Sequence, residues 1–371
     1  MRLALREIRR SKLRFVLLAG AVGLLVFLLL FFQSVAGSLL AGFTGGLEQA
    51  DADVVVYDAT ARANPVVSVL PMTTVDEVSR VSGVAEAAAV AQTFVVAASG
   101  GVEEEAILVG ITPGAPGSPS AIAEGRLPTA PGEALASSGG FGEDFPVGAT
   151  VQVGDDLDVE VVGIAADASY NVATTLYVPF DTYEQALADR LGPGGAAPAS
   201  FVAVRAADGV AVEVLAQDIA DRVPDVQALT RAEAVDALPG VDLISRSFGI
   251  LYVLLYVVVT IVTGVFFLIL TVQKRDALVL LRAVGAERAD VVRLVLAQVL
   301  TVVGLGVLLG TGLAVGLLRA TQDLFGSELA VSTIAASAAA VLVLGVIAAS
   351  GAIRRVLQIE PVEATQAAGL G

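Results

Sequence analysis

Cysteine, histidine and tryptophan are all missing from the 371 residues. Without cysteine there is no disulfide and no thiol nucleophile. Without histidine the usual zinc ligand sets and the commonest proton-transfer side chain at neutral pH are closed as well. Charge is scarce, at 16% of residues, and lopsided, with 22 basic against 38 acidic side chains. No GxxxxGK[ST] loop of the kind that cradles nucleotide phosphates occurs anywhere. What abounds is apolar: 56% of the chain is hydrophobic and the mean hydropathy is +0.80, which points to a membrane protein.

Four uncharged runs, residues 15–36, 248–272, 294–318 and 331–353, are each long enough to cross a bilayer as a helix, which takes about 20 residues. The first comes after a basic start and ends near "SVAG" (34–37), as a secretory signal does. Its apolar core outruns the roughly 7–15 residues of a signal, so it reads as a retained anchor. Ion-coupled transporters and proton relays place ionisable groups inside their spans, and these spans have none. If the chain moves anything, the energy enters elsewhere.

Basic residues set the orientation. Residues 1–14 carry Arg2, Arg6, Arg9, Arg10, Lys12 and Arg14 against Glu7, which puts the N-terminus in the cytoplasm. Alternation then places 37–247 outside, 273–293 inside, 319–330 in a short outer loop and the tail 354–371 inside. The outer region holds 8 basic and 30 acidic residues, an acidity that argues against nucleic acid or anionic lipid as its ligand.

That region of about 210 residues is large enough for its own core and reads as mixed α and β. Strands are expected at 53–58, 89–98, 105–111, 158–165 and 200–206, and a helix at 210–223. Thr74 with Glu77, and Asp181 with Glu184, have the spacing of capping boxes. The Pro/Gly-rich stretch 110–133 reads as a connection dividing two lobes, "ASSGGFGEDF" (136–145) as a turn, and Glu103–Glu105 as a solvated hairpin tip. Asp156, Asp158 and Glu160 alternate with apolar residues, so they either share a calcium-binding strand face or simply line a solvated one. No catalytic residue and no metal site is expected.

Between the second and third runs lies "KRDALVLLRAVGAER" (274–288). A plain connection would not present Leu278, Leu281 and Val284 on one helical face before Gly285, a helix-stopping residue. Such a face wants a partner, either a protein groove or the lipid headgroups. The third run carries Gly306, Gly310, Gly312 and Gly316, two pairs at four-residue spacing that let a helix backbone come close, in this chain or in a second copy.

Several motifs resemble the permease subunits of ABC transporters of the MacB/FtsX/LolC/DevC type: "LALREIRRSKLRFVLL" (3–18), "LLRAVGAERADVV" (280–292), "IEPVEATQ" (359–366) and the β segment "FPVGATVQVGDDLDVEVVGIA" (145–165). Layout and "DASYNVATTLYVPFDTYEQAL" (167–187) look most like the DevC/HrtB-type exporters. The resemblance implies a membrane α-helical fold, with four transmembrane helices and one large α+β extracytoplasmic domain of the MacB-core type. It also implies a cytoplasmic ABC ATPase partner that holds the ATP and magnesium, no cofactor in this chain, and pairing with a second copy of itself. An extracytoplasmic partner and membrane lipid complete the expected contacts, with no nucleic acid. Arg275, Asp276, Leu278, Leu281, Arg282, Ala283, Val284, Gly285 and Ala286 would form the coupling helix that docks on the ATPase. The family's carboxylate four residues before the motif's leucine is Ala277 here, with Asp276 one place earlier. The implied activity is export or extraction of a hydrophobic or amphipathic substrate; the alternative is an FtsX-like transmitter that moves nothing and regulates an extracellular cell-wall hydrolase.

Overall fold

The computed structural model describes residues 12–138, 145–154, 157–192, 195–273, 288–320 and 330–357. The chain divides into two compact units, with breaks after Val35 and after Arg246.

Among the described residues, four helices are long and apolar enough to cross a membrane. Helix α1 runs Lys12–Glu48, and its 37 residues span roughly 55 Å, well beyond a hydrocarbon core of about 30 Å. The sequence places a span at 15–36, but neither proline nor charge interrupts residues 37–47, and Leu40, Phe43 and Leu47 continue at helical spacing. Their burial in the α+β domain keeps the helix going.

The α+β domain holds ten described strands in one sheet: β1 (Val54–Asp58), β2 (Val84–Ser99), β3 (Val102–Ile111), β4 (Ile122–Gly125), β5 (Glu133–Ser137), β6 (Thr150–Val153), β7 (Leu157–Ala165), β8 (Thr174–Pro179), β9 (Phe201–Ala206) and β10 (Val226–Thr230). The order is β10-β1-β9-β2-β3-β8-β5-β7-β4, with β6 bonded to β2 and β7. Strand β2 joins two halves. Its start pairs with β9 from Val84 to Val90, and its remainder pairs with β3 from Ala91 to Ser99. Helices α2 (Met72–Ser79), α3 (Phe180–Ala186), α4 (Ala188–Leu191), α5 (Val212–Arg222) and α6 (Arg231–Ala237) complete the domain. Val54, Val55, Val56 and Tyr57 are fully buried because β1 lies between β10 and β9 and is covered on both faces.

In the membrane unit, α7 (Val241–Gln273), α8 (Arg288–Ala320) and α9 (Val331–Leu357) join the first part of α1 around Val22, Leu29, Val259, Phe267, Val299 and Val303.

Several expectations need correction. Both capping boxes are wrong: α2 and α3 start directly after Pro71 and Pro179, whose extended backbone sets the turn, and neither has a side-chain cap. Thr74 is buried instead, and Glu184 accepts from Ala197 N at 3.0 Å. The one described capping box is Thr230 with Glu233 at α6. Glu103–Glu105 lie in β3, and the hairpin tip is Gly100–Gly101, both at positive φ. Ala136 and Ser137 end β5 and are buried, while 139–144 lie outside the described residues. The stretch 110–133 divides no lobes. Ser120 N donates to Gln49 O and Asp51 N to Ser118 O, so it folds back against the end of α1 and then enters β4.

Candidate functional site

The expected coupling residues, Arg275 through Ala286, fall within 274–287 and lie outside the described residues. Their frame is described: α7 ends at Gln273 and α8 begins at Arg288.

The four glycines of α8 separate into two kinds. A Cβ at Gly306 would stand 2.7 Å from Val22 Cγ1, and one at Gly310 would stand 2.9 Å from Phe27 N and overlap Gly23 O. Here α8 and α1 meet backbone to backbone. Gly312 and Gly316 have nothing within 4 Å of where a Cβ would stand. Polar side chains that hydropathy passes over also link α1 to α9 and to α7. Gln33 accepts from Ser337 Oγ at 2.9 Å, and Tyr252 Oη donates to Phe32 O at 3.3 Å.

At its other end α1 is locked into the α+β domain. The segment 167–172 wraps its last turns: Gly46 N donates to Ser169 O and Val172 N donates to Gly42 O, each at 2.7 Å. A side chain at Gly45 would overlap Asp167 O, and one at Gly46 would overlap the Tyr170 ring. Asp167, Asn171 and Val172 all have φ between 49° and 60°, a costly conformation for a β-branched valine that the contact with Gly42 holds in place. Tyr177 Oη donates to Ala168 O at 2.6 Å, and Ser137 Oγ lies 2.9 Å from Ser169 Oγ. Burial raises the phenols of Tyr170 and Tyr177, so both stay neutral. The Arg231 guanidinium donates to Ala50 O at 3.0 Å and Glu48 O at 3.3 Å, capping the end of the helix. Sequence reasoning missed this socket. Its signal was "AGFTGG" (41–46), three glycines on one side of a helix at the end of an apolar run.

Asp158 and Glu160 are exposed on β7, and Asp156 lies outside the described residues. Among the described residues no group of three His, Cys, Asp or Glu side chains is placed to hold a metal ion. A tighter polar cluster sits at Glu133, which takes a bidentate pair from Arg126 at 2.5 and 2.7 Å and accepts from Thr129 N and Ala130 N.

Residues 15–222 match the MacB-like periplasmic core domain, and residues 249–361 match the FtsX-like permease C-terminal family. The chain belongs to the MacB/FtsX-type ABC permeases. Permeases of this type work with an ABC ATPase. Among solved structures, the periplasmic region of MacB from Actinobacillus actinomycetemcomitans is similar at 15% identity with a TM-score of 0.38. That match covers 50% of this chain and 92% of that one. The extracellular domain of the noncanonic ABC-type transporter YknZ from Gram-positive bacteria is similar at 18% identity with a TM-score of 0.35, covering 48% of this chain and 99% of that one. No curated protein matches. The fold class is the one the motifs implied: four apolar helices with a large α+β domain of the MacB type.

Proposed function

We propose that this permease passes ATP-driven motion from a cytoplasmic ATPase to its α+β domain, which acts on an amphipathic substrate outside the membrane. The observation that carries the reading is α1. One unbroken helix runs from Lys12 to Glu48, and its last turns are fixed by two backbone hydrogen bonds and by glycines that leave no room to slide. A helix end held this way moves with the domain it is locked into. The basic-residue asymmetry supports cytoplasmic N- and C-termini and an outer α+β domain. Two copies would pair, each docking one ATPase through Leu278, Leu281 and Val284.

The test is Leu281→Asp. A charge placed in a packed contact costs several kcal/mol, enough to release a modest interface. Co-purification with the ATPase and ATP turnover by the complex should both fall at least about tenfold, while the chain itself still inserts. Gly285→Val, at the helix stop, should act in the same direction. If the stretch only rests on lipid headgroups, both variants keep full pull-down and turnover, and the reading fails.

A further inference from the structure

The sheet ends in two edges, and they are built differently. Strand β4, at one end of the order, has a register shift between Ile122 and Glu124 and leaves Glu124 exposed. An irregular ladder and an edge charge are both ways in which sheets discourage a further strand. Strand β10, at the other end, reads "VQALT" over Val226–Thr230, with no charge and no proline, and its register with β1 is unbroken. Nothing in it repels another strand.

Hydrogen bonds at its two ends fix which way it points. Ala59 N donates to Asp225 O at 3.0 Å and Arg231 N donates to Asp53 O at 2.9 Å, so the odd-numbered residues turn their amides and carbonyls toward β1. Val226, Ala228 and Thr230 turn theirs out of the sheet. Thr230 N is taken up by the Glu233 carboxylate at 2.9 Å, in the capping box of α6. Val226 and Ala228 keep two N–H and two C=O groups with which no described group pairs.

These groups are self-complementary. With a second β10 running antiparallel and Val226 opposite Ala228, each copy donates two bonds and accepts two, and the uncharged Gln227 stands opposite itself. Such a pair has its two-fold axis perpendicular to the sheet, so whatever leaves by one face in one copy leaves by the same face in the other. Leu47 of α1 and Val241 of α7 both pack on the face of Val55 and Tyr57, whereas Val54 and Val56 face Leu215 and Ile219 of α5. Pairing through β10 therefore sends the apolar helices of both copies out on one side of the joined sheet, as a shared membrane demands.

We propose that the β10 edge is where two copies of this chain join, in one sheet continuous across the two-fold axis. The inference rests on the pairing in the function proposed above and names the surface that makes it.

The chain has no cysteine, so one introduced thiol reports one contact. Gln227→Cys would face its own counterpart in a non-hydrogen-bonded pair, where Cα atoms stand about 4.5 Å apart, within disulfide reach. Oxidised in membranes, it should form the disulfide dimer at least about tenfold faster than Glu124→Cys on the opposite edge. Adding Ala228→Pro removes only an outward-facing donor and should slow that reaction about tenfold, with the unfolding midpoint of the chain kept. Gln227→Lys sets two like charges opposite each other and should weaken the dimer about threefold or more, most strongly at low salt. Light scattering of the solubilised chain reads the dimer. A dimeric chain in which Gln227→Cys reacts no faster than Glu124→Cys, or in which Ala228→Pro leaves the rate unchanged, overturns the β10 interface and keeps the pairing. A monomeric chain that forms no disulfide dimer in membranes overturns both.

Discussion

The inner strands of the α+β domain hide their valines, and the outer face of the helical bundle displays its own. Val54, Val55, Val56, Val202 and Val204 are fully buried, while Ile250 on α7 and Leu308 on α8 are 72% and 71% exposed, and Val253, Val257, Val265 and Val272 are exposed alongside Ile250. In water each fully exposed side chain of this kind forfeits about 1.5–3 kcal/mol of burial. In a bilayer the same stripe is the contact surface, and hydrophobicity no longer sorts inside from outside. Shape must do that work in the bundle. Glycine placement therefore carries more information there than apolar pattern does.

The sharpest way to break the comparison is to give the same methyl group to glycines of one helix. Gly310→Ala would press a Cβ into the α1 backbone and should destabilise the bundle by about 1–3 kcal/mol, as overpacking does. Gly312→Ala, two residues away with open space, should stabilise by about 0.5–1 kcal/mol through helix propensity. Thermal unfolding in detergent reads both, and the same sign for both would refute the packing. In the α+β domain, Gly46→Ala should cost as much as Gly310→Ala, because Tyr170 is buried and cannot yield. Tyr170→Leu in the same chain should recover part of that loss, since the two positions share one contact.

A smaller effect separates the regions by pH. Glu133 is held at about 2, chiefly by the hydrogen bonds from Arg126 and then by the Thr129 amide, against a modest opposing cost of burial. A depressed carboxyl stabilises the fold above its unfolded value, and the contribution is lost as pH falls from the ordinary carboxylate range toward 2. The Glu133 carboxyl resonance should therefore titrate near 2, and Arg126→Gln should move its midpoint up toward the ordinary range. No comparable acid-sensitive pair is described inside the spans, whose long apolar runs hold no carboxylate.

Much of this architecture was legible in the sequence. The four spans follow from length and hydropathy, and strands β1, β2, β3, β7 and β9 from β-branched runs, because period and burial agree there. Strand β10 and helix α6 were missed although "TRAE" (230–233) carries a true capping box; β10 is only half-buried, and no long apolar run marks it. The socket was invisible for another reason. Gly42, Gly45 and Gly46 are adjacent to α1's apolar run, but their partners at 167–172 lie over 120 residues away, and no local pattern announces that pairing. Ser137 looked like a turn residue because glycines come after it, yet the hydroxyl is buried between Ser169 and the Thr175 amide.

The smallest predicted change tests the claim that shape rules the bundle. Thr263 on α7 is fully buried, and its Oγ1 has no hydrogen-bond partner. A hydroxyl kept from both water and partner is a cost that the fold carries, not a contact that holds it. Valine has nearly the same outline and lacks that oxygen. Thr263→Val should leave the unfolding temperature unchanged or raise it by a few degrees, within about 1 kcal/mol. The same replacement at Thr175, whose hydroxyl accepts from Tyr170 N at 3.0 Å and donates to Ala173 O at 3.1 Å, should instead lower stability by about 1–3 kcal/mol. A marked loss at Thr263 would mean that its hydroxyl has found a partner within the membrane, and that polar contacts as well as fit hold α7 in place.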